Sequence, residues 1–335
     1  MNQKESSEMA ETTYIQAITQ AMREELTQDE NVFVLGEDVG AKGGVFRATD
    51  GLFDEFGADR IIDTPLTESA IAGVGIGAAM YGMRPVGEMQ FVDFILPAVN
   101  QIVSEAAKIR YRSNNDWHCP ITIRAPYGGG VSGALYHSQS LEAMFSNQPG
   151  LKIVMPSSPY DAKGLLKAAI RDNDPVLFLE HKRAYRFLKE EIPEEEYVLP
   201  IGKAAVKREG SDVTVITYGL NVHLAEQAAA NLAEDDIDVH LLDLRTVYPL
   251  DQEAIIQAAS KTGKVLLVTE DNKEGSIIGE VAAIIAEHCL FELDAPVERL
   301  AGPDAPAMPY AANLEKEFMV DETKIEQSIR SLALF

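Results

Sequence analysis

The chain has 335 residues and a net charge of −24, from 29 Lys and Arg against 53 Asp and Glu. So acidic a surface repels nucleic-acid phosphates and anionic membranes, so neither is expected as a partner, whereas a basic protein module would be attracted. The only two cysteines, Cys119 and Cys289, form no CxxC pair, which argues against a zinc cluster or disulfide scaffold and fits a reducing cytoplasm.

The polar, acidic start, residues 1–12, has no signal or transit character and is expected to fray. Apolar spacing then predicts helices over Tyr14–Thr27, Ala70–Tyr81 and Pro97–Tyr111. Short apolar runs predict buried strands at Val32–Leu35, Ile121–Arg124 and Val176–Leu179. The uncharged stretch Ser69–Met83 is too short to span a membrane. An acidic segment with two prolines, Leu188–Pro200, is expected to be an exposed connection. After it, strands at Asp212–Tyr218, Asp238–Asp243, Lys264–Thr269 and Pro296–Leu300 alternate with helices at Val222–Ala233, Leu250–Ala259 and Ser276–Cys289. Such alternation implies βαβ units and parallel sheets. The expected division is a tail (1–12), a three-layer α/β domain (13–187), a linker (188–200) and a second α/β domain (201–335).

Four places invite a chemical reading. Gly73, Gly75, Gly77 and Ala78 satisfy a loose GxGxxA dinucleotide fingerprint, but no apolar strand leads directly into them, so close helix packing is the better explanation. Glu68 is either a first-turn acid facing a helix dipole or a desolvated carboxylate able to exchange a proton with a ring nitrogen. The loop Ala125–Ser140 has four glycines before Tyr136 and His137; it is either a surface loop or a loop holding an imidazole at a site mouth. Ala168–Asp174 is a helix end and turn, or carbonyls and carboxylates able to hold a hard cation.

A series of motifs narrows these alternatives. FVLGEDVG (Phe33–Gly40), GGVFRAT (Gly43–Thr49), DTPLTESAIAGVGIGAAMYG (Asp63–Gly82), EMQFVDFILPAVNQI (Glu88–Ile102), EAAKIRYRS (Glu105–Ser113) and GALYHSQS (Gly133–Ser140) occur in this order, followed by PGLKIVMPSSPYDAKGLL, DLRTVYPLD and GPDAPAMPY. As a set they closely resemble the beta subunits of the thiamine-diphosphate-dependent 2-oxo acid dehydrogenases, over nearly the whole chain after the first ten or so residues. MYGMRPVGEMQFVDFILPAVNQI, YRSNNDW and GALYHSQS look most like branched-chain members, with pyruvate and acetoin enzymes as the alternative.

The resemblance implies a transketolase-like architecture, with a pyrimidine-binding domain followed by the superfamily's C-terminal domain. It implies Glu68 as the acid that bonds the cofactor's pyrimidine nitrogen, with further pyrimidine contacts at Glu37, Leu66, Gln90 and Phe94. Phe94 departs from the family's frequent tyrosine, so a hydroxyl contact would be missing. His137 would stand at the active-site mouth and help the lipoyl group accept the acyl unit. Potassium would be held around Ile121, Ala169, Asp172 and Asp174 and would brace the loop carrying His137. Family members anchor magnesium and diphosphate with GDG followed by NN. This chain has no GDG, and its only NN is Asn114–Asn115. An alpha subunit, in an α2β2 heterotetramer, would supply that half. The family also docks on a dihydrolipoyl acyltransferase core through a basic subunit-binding domain, for which Asp294, Glu298 and the carboxylate of Phe335 are the matching acids. Two other classes stand against this reading: a non-catalytic α/β scaffold, for which Glu68 and His137 are incidental, and a nicotinamide-dependent dehydrogenase, which needs a strand running into Gly73.

Overall fold

The computed structural model describes residues 10–335. Residues 1–9, most of the expected tail, lie outside the described residues. Residues 10–12 belong to a strand, Ala10–Thr13, and not to a frayed end. It pairs antiparallel with Lys189–Ile192, inside the expected linker. The rest of that linker is also tied down: Arg171 pairs with Glu196 at 2.5 Å and Tyr197 stacks on Tyr160 with centroids 4.5 Å apart. An acidic composition signals exposure but not freedom, because the adjoining helix carries matching cations.

Thr13 begins the first helix, Tyr14–Gln28, with a capping box: its hydroxyl accepts from the Gln16 N–H while the Gln16 side chain accepts from the Thr13 N–H. Tyr14, Ile18, Ala21, Met22 and Leu26 recur at three- and four-residue spacing and are buried, largely against helix Pro159–Arg171. The strands behind them, Val32–Gly36, Thr122–Tyr127 and Val176–His181, are buried at every position. Continuous burial is what a parallel strand covered on both faces requires. The first sheet has seven strands in the order Thr246–Tyr248, Lys152–Val154, Val176–His181, Thr122–Tyr127, Arg84–Glu88, Val32–Gly36, Ile61–Asp63. All its pairings are parallel except that of Thr246–Tyr248. The second sheet has five, in the order Glu298–Gly302, Val265–Asn272, Val213–Thr217, Val239–Asp243, Ala205–Arg208.

The edge strand Thr246–Tyr248 comes from the second half of the chain and pairs antiparallel with Lys152–Val154. The two halves also share a core, in which Phe145, Leu177 and Leu179 belong with Tyr218, Leu244, Val247, Ile277 and Ile285.

The expected continuous helix Pro97–Tyr111 is instead a 3-10 turn at Leu96–Ala98, a π-helical turn at Asn100–Glu105, another 3-10 turn at Ala106–Lys108 and an α-helical turn at Ile109–Arg112. Across the π-helical turn the buried positions Ala98, Ile102 and Ala106 lie four residues apart. That is wider than the 3.6-residue α-turn, so the backbone widens locally to keep them on one face.

Candidate active site

In an open parallel sheet, ligands bind beyond the carboxyl ends of the strands. There the structure gathers the predicted residues. Val32–Gly36 delivers Glu37, Ile61–Asp63 leads to Leu66 and Glu68, Arg84–Glu88 leads to Gln90 and Phe94, and Thr122–Tyr127 opens the loop carrying His137. These strands are neighbours, so residues as far apart in sequence as Glu37 and His137 converge on one end of the sheet.

Glu68 is the first residue of helix Glu68–Met80 and is half-buried. Its carboxylate is near enough to Glu37 to help raise that group: burial pushes the Glu37 carboxyl up, and the charges of Asp38 and Glu68 push it further. The full desolvation considered for Glu68 is therefore not reached within this chain alone. Leu66 is 71% exposed. The Gln90 amide donates to the Glu37 carbonyl at 3.5 Å. The glycines of the helix are not a phosphate loop, since they lie within the helix; close packing explains Gly75, where a Cβ would come within 2.7 Å of Ile121, but not Gly77, which has no neighbour within 4 Å.

His137 is held by rings. Phe91 and Phe94 meet it edge-on at 4.6 and 5.3 Å between centroids, and Phe46 packs on Phe91 at 5.3 Å. The loop around it is clamped by carboxylates. Gly129 donates to Glu270 at 2.5 Å, Gly130 and Ser132 donate to Glu315 at 3.0 Å each, and Ser138 and Gln139 donate to Asp93 at 3.2 Å each. Ser132 and Ala134 take left-handed backbone conformations (φ 55° and 54°), a strain that such clamps can hold in place.

Sequence reasoning missed what lies beneath. Arg124, 1% exposed, bridges Glu88 at 2.7 Å and Glu180 at 2.6 Å, and the Tyr185 hydroxyl donates to Glu180 at 2.6 Å. The Arg124 guanidinium holds down a Glu88 carboxyl that burial pushes up. Lys182 and Asp93 were missed too. The one available signal was the charged run Glu180–Arg183, which begins inside an apolar strand where a solvated turn has no reason to start.

The proposed potassium ligands are adjacent but do not fit through their carboxylates. Asp172 accepts from Lys152 at 2.6 Å, and Asp174 pairs with Arg110 at 2.5 Å. Arg84 donates to the carbonyls of Ile170 and Asp172, and the Ile121 carbonyl accepts from Val176. Built-in cations thus serve the turn's carboxylates. Nor can this turn brace the His137 loop directly. Ile121 precedes the Thr122–Tyr127 strand whereas the loop follows it, at the far end of six residues, or about 20 Å at 3.3 Å per residue. Asn114 and Asn115 form a left-handed turn (φ 54° and 70°) whose Asn115 side chain accepts from Arg110.

Comparison with known proteins agrees with this arrangement. Residues 10–187 match the transketolase pyrimidine binding domain, and residues 202–325 match the transketolase C-terminal domain. The chain is 74% identical over 327 residues to the 2-oxoisovalerate dehydrogenase subunit beta of Bacillus subtilis (strain 168), covering 98% of this chain and all of that one. It is 52% identical to the pyruvate dehydrogenase E1 component subunit beta of the same organism, over 88% of this chain and 91% of that one. A solved split-gene transketolase, described as an inactive beta4 tetramer, shares the fold with a TM-score of 0.78 at 20% identity, covering 96% of this chain and 98% of that one. Among the described residues, no helix is long and apolar enough to cross a membrane. With its predicted residues gathered at one end of a transketolase-type sheet and these relatives along nearly its full length, the chain belongs to the family of 2-oxo acid dehydrogenase beta subunits.

Proposed function

We propose that this chain is the beta subunit of a branched-chain 2-oxo acid dehydrogenase. It would work with an alpha subunit on thiamine diphosphate to decarboxylate the oxo acid and pass the acyl group to a lipoyl group. The observation that carries this reading is the convergence of Glu37, Leu66, Glu68, Gln90, Phe94 and His137 beyond adjacent strand ends. Higher identity to the 2-oxoisovalerate enzyme than to the pyruvate enzyme favours the branched-chain substrate.

The residues fit an aminopyrimidine. Leu66 and Phe94 offer apolar surface, the Gln90 amide offers polar contacts, and Glu68 offers a carboxylate at the entry to a helix. When bound, thiamine diphosphate supplies the electron sink for decarboxylation. Glu68 holds and moves a proton at the pyrimidine nitrogen. Leu66, so exposed in the single chain, and the half-buried Glu68 are sealed from water by the alpha subunit. That subunit also holds the magnesium and diphosphate, for which this acidic chain lacks a GDG segment.

Co-expression tests the assignment. With a partner bearing GDG and NN, the chain should copurify as a tight complex that binds thiamine diphosphate and turns over branched-chain oxo acids faster than pyruvate. Alone, it should be inactive. Faster turnover of pyruvate would overturn the substrate assignment, and failure to bind the cofactor in the complex would overturn the rest.

His137→Ala in that complex is expected to slow reductive acylation of the lipoyl domain by about 100-fold, the range of a lost acid–base group. Cofactor affinity should fall much less, because His137 itself packs on Phe91 and Phe94 and is not among the proposed pyrimidine contacts. Calorimetry and mass spectrometry of the lipoyl domain separate the two; a fall in cofactor affinity alone would reverse the role.

Docking on a basic subunit-binding domain is proposed at the second domain's acidic end. Asp294 is exposed and lines a hollow with Asp212, Asp235 and Asp236 beside Leu334, where Lys264 and Arg330 also stand and Arg330 pairs with Asp235. Glu298 is half-buried at the start of an edge strand, and Phe335 is exposed. Replacing Asp294 and Glu298 with Ala should leave dye-linked decarboxylation intact while weakening core binding roughly tenfold at low salt, and less as salt screens the charges. Core affinity unchanged at low salt would place the docking face elsewhere.

A further inference from the structure

Lys182 follows the strand Val176–His181 and is 4% exposed. Its ammonium makes no hydrogen bond among the described residues. A buried ammonium left so is costly unless carboxylates face it. Two do, Asp93 and Glu270, and both attract it. They are the carboxylates that hold the two ends of the His137 loop: Glu270 takes the Gly129 N–H at its start, and Asp93 takes the Ser138 and Gln139 N–H groups at its end. Glu270 is shared with His181 at 2.8 Å. The second oxygen of Asp93 is buried and has no hydrogen bond among the described residues, which leaves its charge to be answered by Lys182. The ammonium also lies 5.6 Å from the centroid of Phe91, the ring that meets His137 edge-on.

We propose that Lys182 is a positioning residue for His137. Its charge couples the two carboxylate clamps of the loop 128–140 and, through the face of Phe91, fixes where the imidazole stands. The charge is what matters: an apolar side chain of the same length fills the space but takes away the cation that attracts both Asp93 and Glu270. Burial lowers the ammonium to about 8, so it is still mainly charged near neutral pH. The loop's φ values at Ser132 and Ala134 need such restraint, since strained backbone persists only where its surroundings over-determine it.

This inference rests on His137 acting at the mouth, and the test separates the two. In the assembled complex, Lys182→Met is expected to raise hydrogen exchange of the 128–140 segment about tenfold. It should also slow reductive acylation about tenfold, with the KM for the oxo acid unchanged, while Lys182→Arg restores both. If Lys182→Met does not assemble, Lys182→Gln removes the charge while keeping a polar side chain and should loosen the same segment. Unchanged exchange in both variants, or equal losses in Lys182→Met and Lys182→Arg, would overturn the proposal. A looser loop with undiminished acylation would uphold the coupling and count instead against His137.

Discussion

Glu68→Gln in the complex with the alpha subunit is expected to reduce decarboxylation by about 100- to 10,000-fold, the range of a lost general acid–base group. The amide keeps the size of the carboxylate and its place at the first turn of the helix, so assembly should be unaffected. What it cannot do is take up and return a proton at the pyrimidine nitrogen. A single-turnover measurement with a dye acceptor reads the step directly, and thermal unfolding of the assembled complex checks the fold. Turnover close to wild type with a normal melting curve would remove Glu68 from the chemistry.

Arg124→Met should produce the largest loss of stability. Among the described residues the guanidinium is the group that pairs with Glu88, and it bridges that residue to Glu180 on either side of its own strand. Removing one partner of a buried ion network costs on the order of 3–5 kcal/mol, because the remaining charges stay buried. The apolar replacement leaves two carboxylates that must be protonated or solvated. Chemical denaturation reads the loss, and adding Glu88→Gln and Glu180→Gln to Arg124→Met should recover much of it. A loss below about 1 kcal/mol, the size expected of a surface pair, would show that water reaches the network. Glu88 directly precedes Met89–Gln90 and Glu180 directly precedes His181–Lys182, so milder replacements such as Arg124→Lys should also disturb the residues that follow these strands.

What was legible in the sequence was whatever repeats locally. Seven strands and helices after Pro200 were placed within a few residues, because each is an apolar period bounded by turn residues, whereas the short strands Ala205–Arg208 and Thr246–Tyr248 and the helices Ala312–Phe318 and Glu322–Ala333 were not foreseen. Glu68 and His137 were found through motifs, since neither has a local pattern that separates a working residue from a solvated one. What escaped was set by distant partners. Arg124 meets Glu88 and Glu180 at separations of 36 and 56 residues, and an arginine in an apolar strand cannot declare which acids will flank it. Lys189–Ile192 is a strand only because Ala10–Thr13 lies beside it. The helix expected at Pro97–Tyr111 failed for the opposite reason: its apolar repeat was visible, but its four-residue spacing was read as an ordinary α-period.

The seventh strand of the first sheet has a consequence for synthesis. A ribosome completes residues 10–200 before the segment Thr246–Tyr248 exists, so the growing first half carries an unpaired edge at Lys152–Val154. Exposed strand edges recruit other strands, and newly made domains are most vulnerable to misassembly at that stage. The first half therefore keeps that edge unpaired through the synthesis of about the next fifty residues, until Thr246–Tyr248 pairs with Lys152–Val154 and becomes the edge in its place.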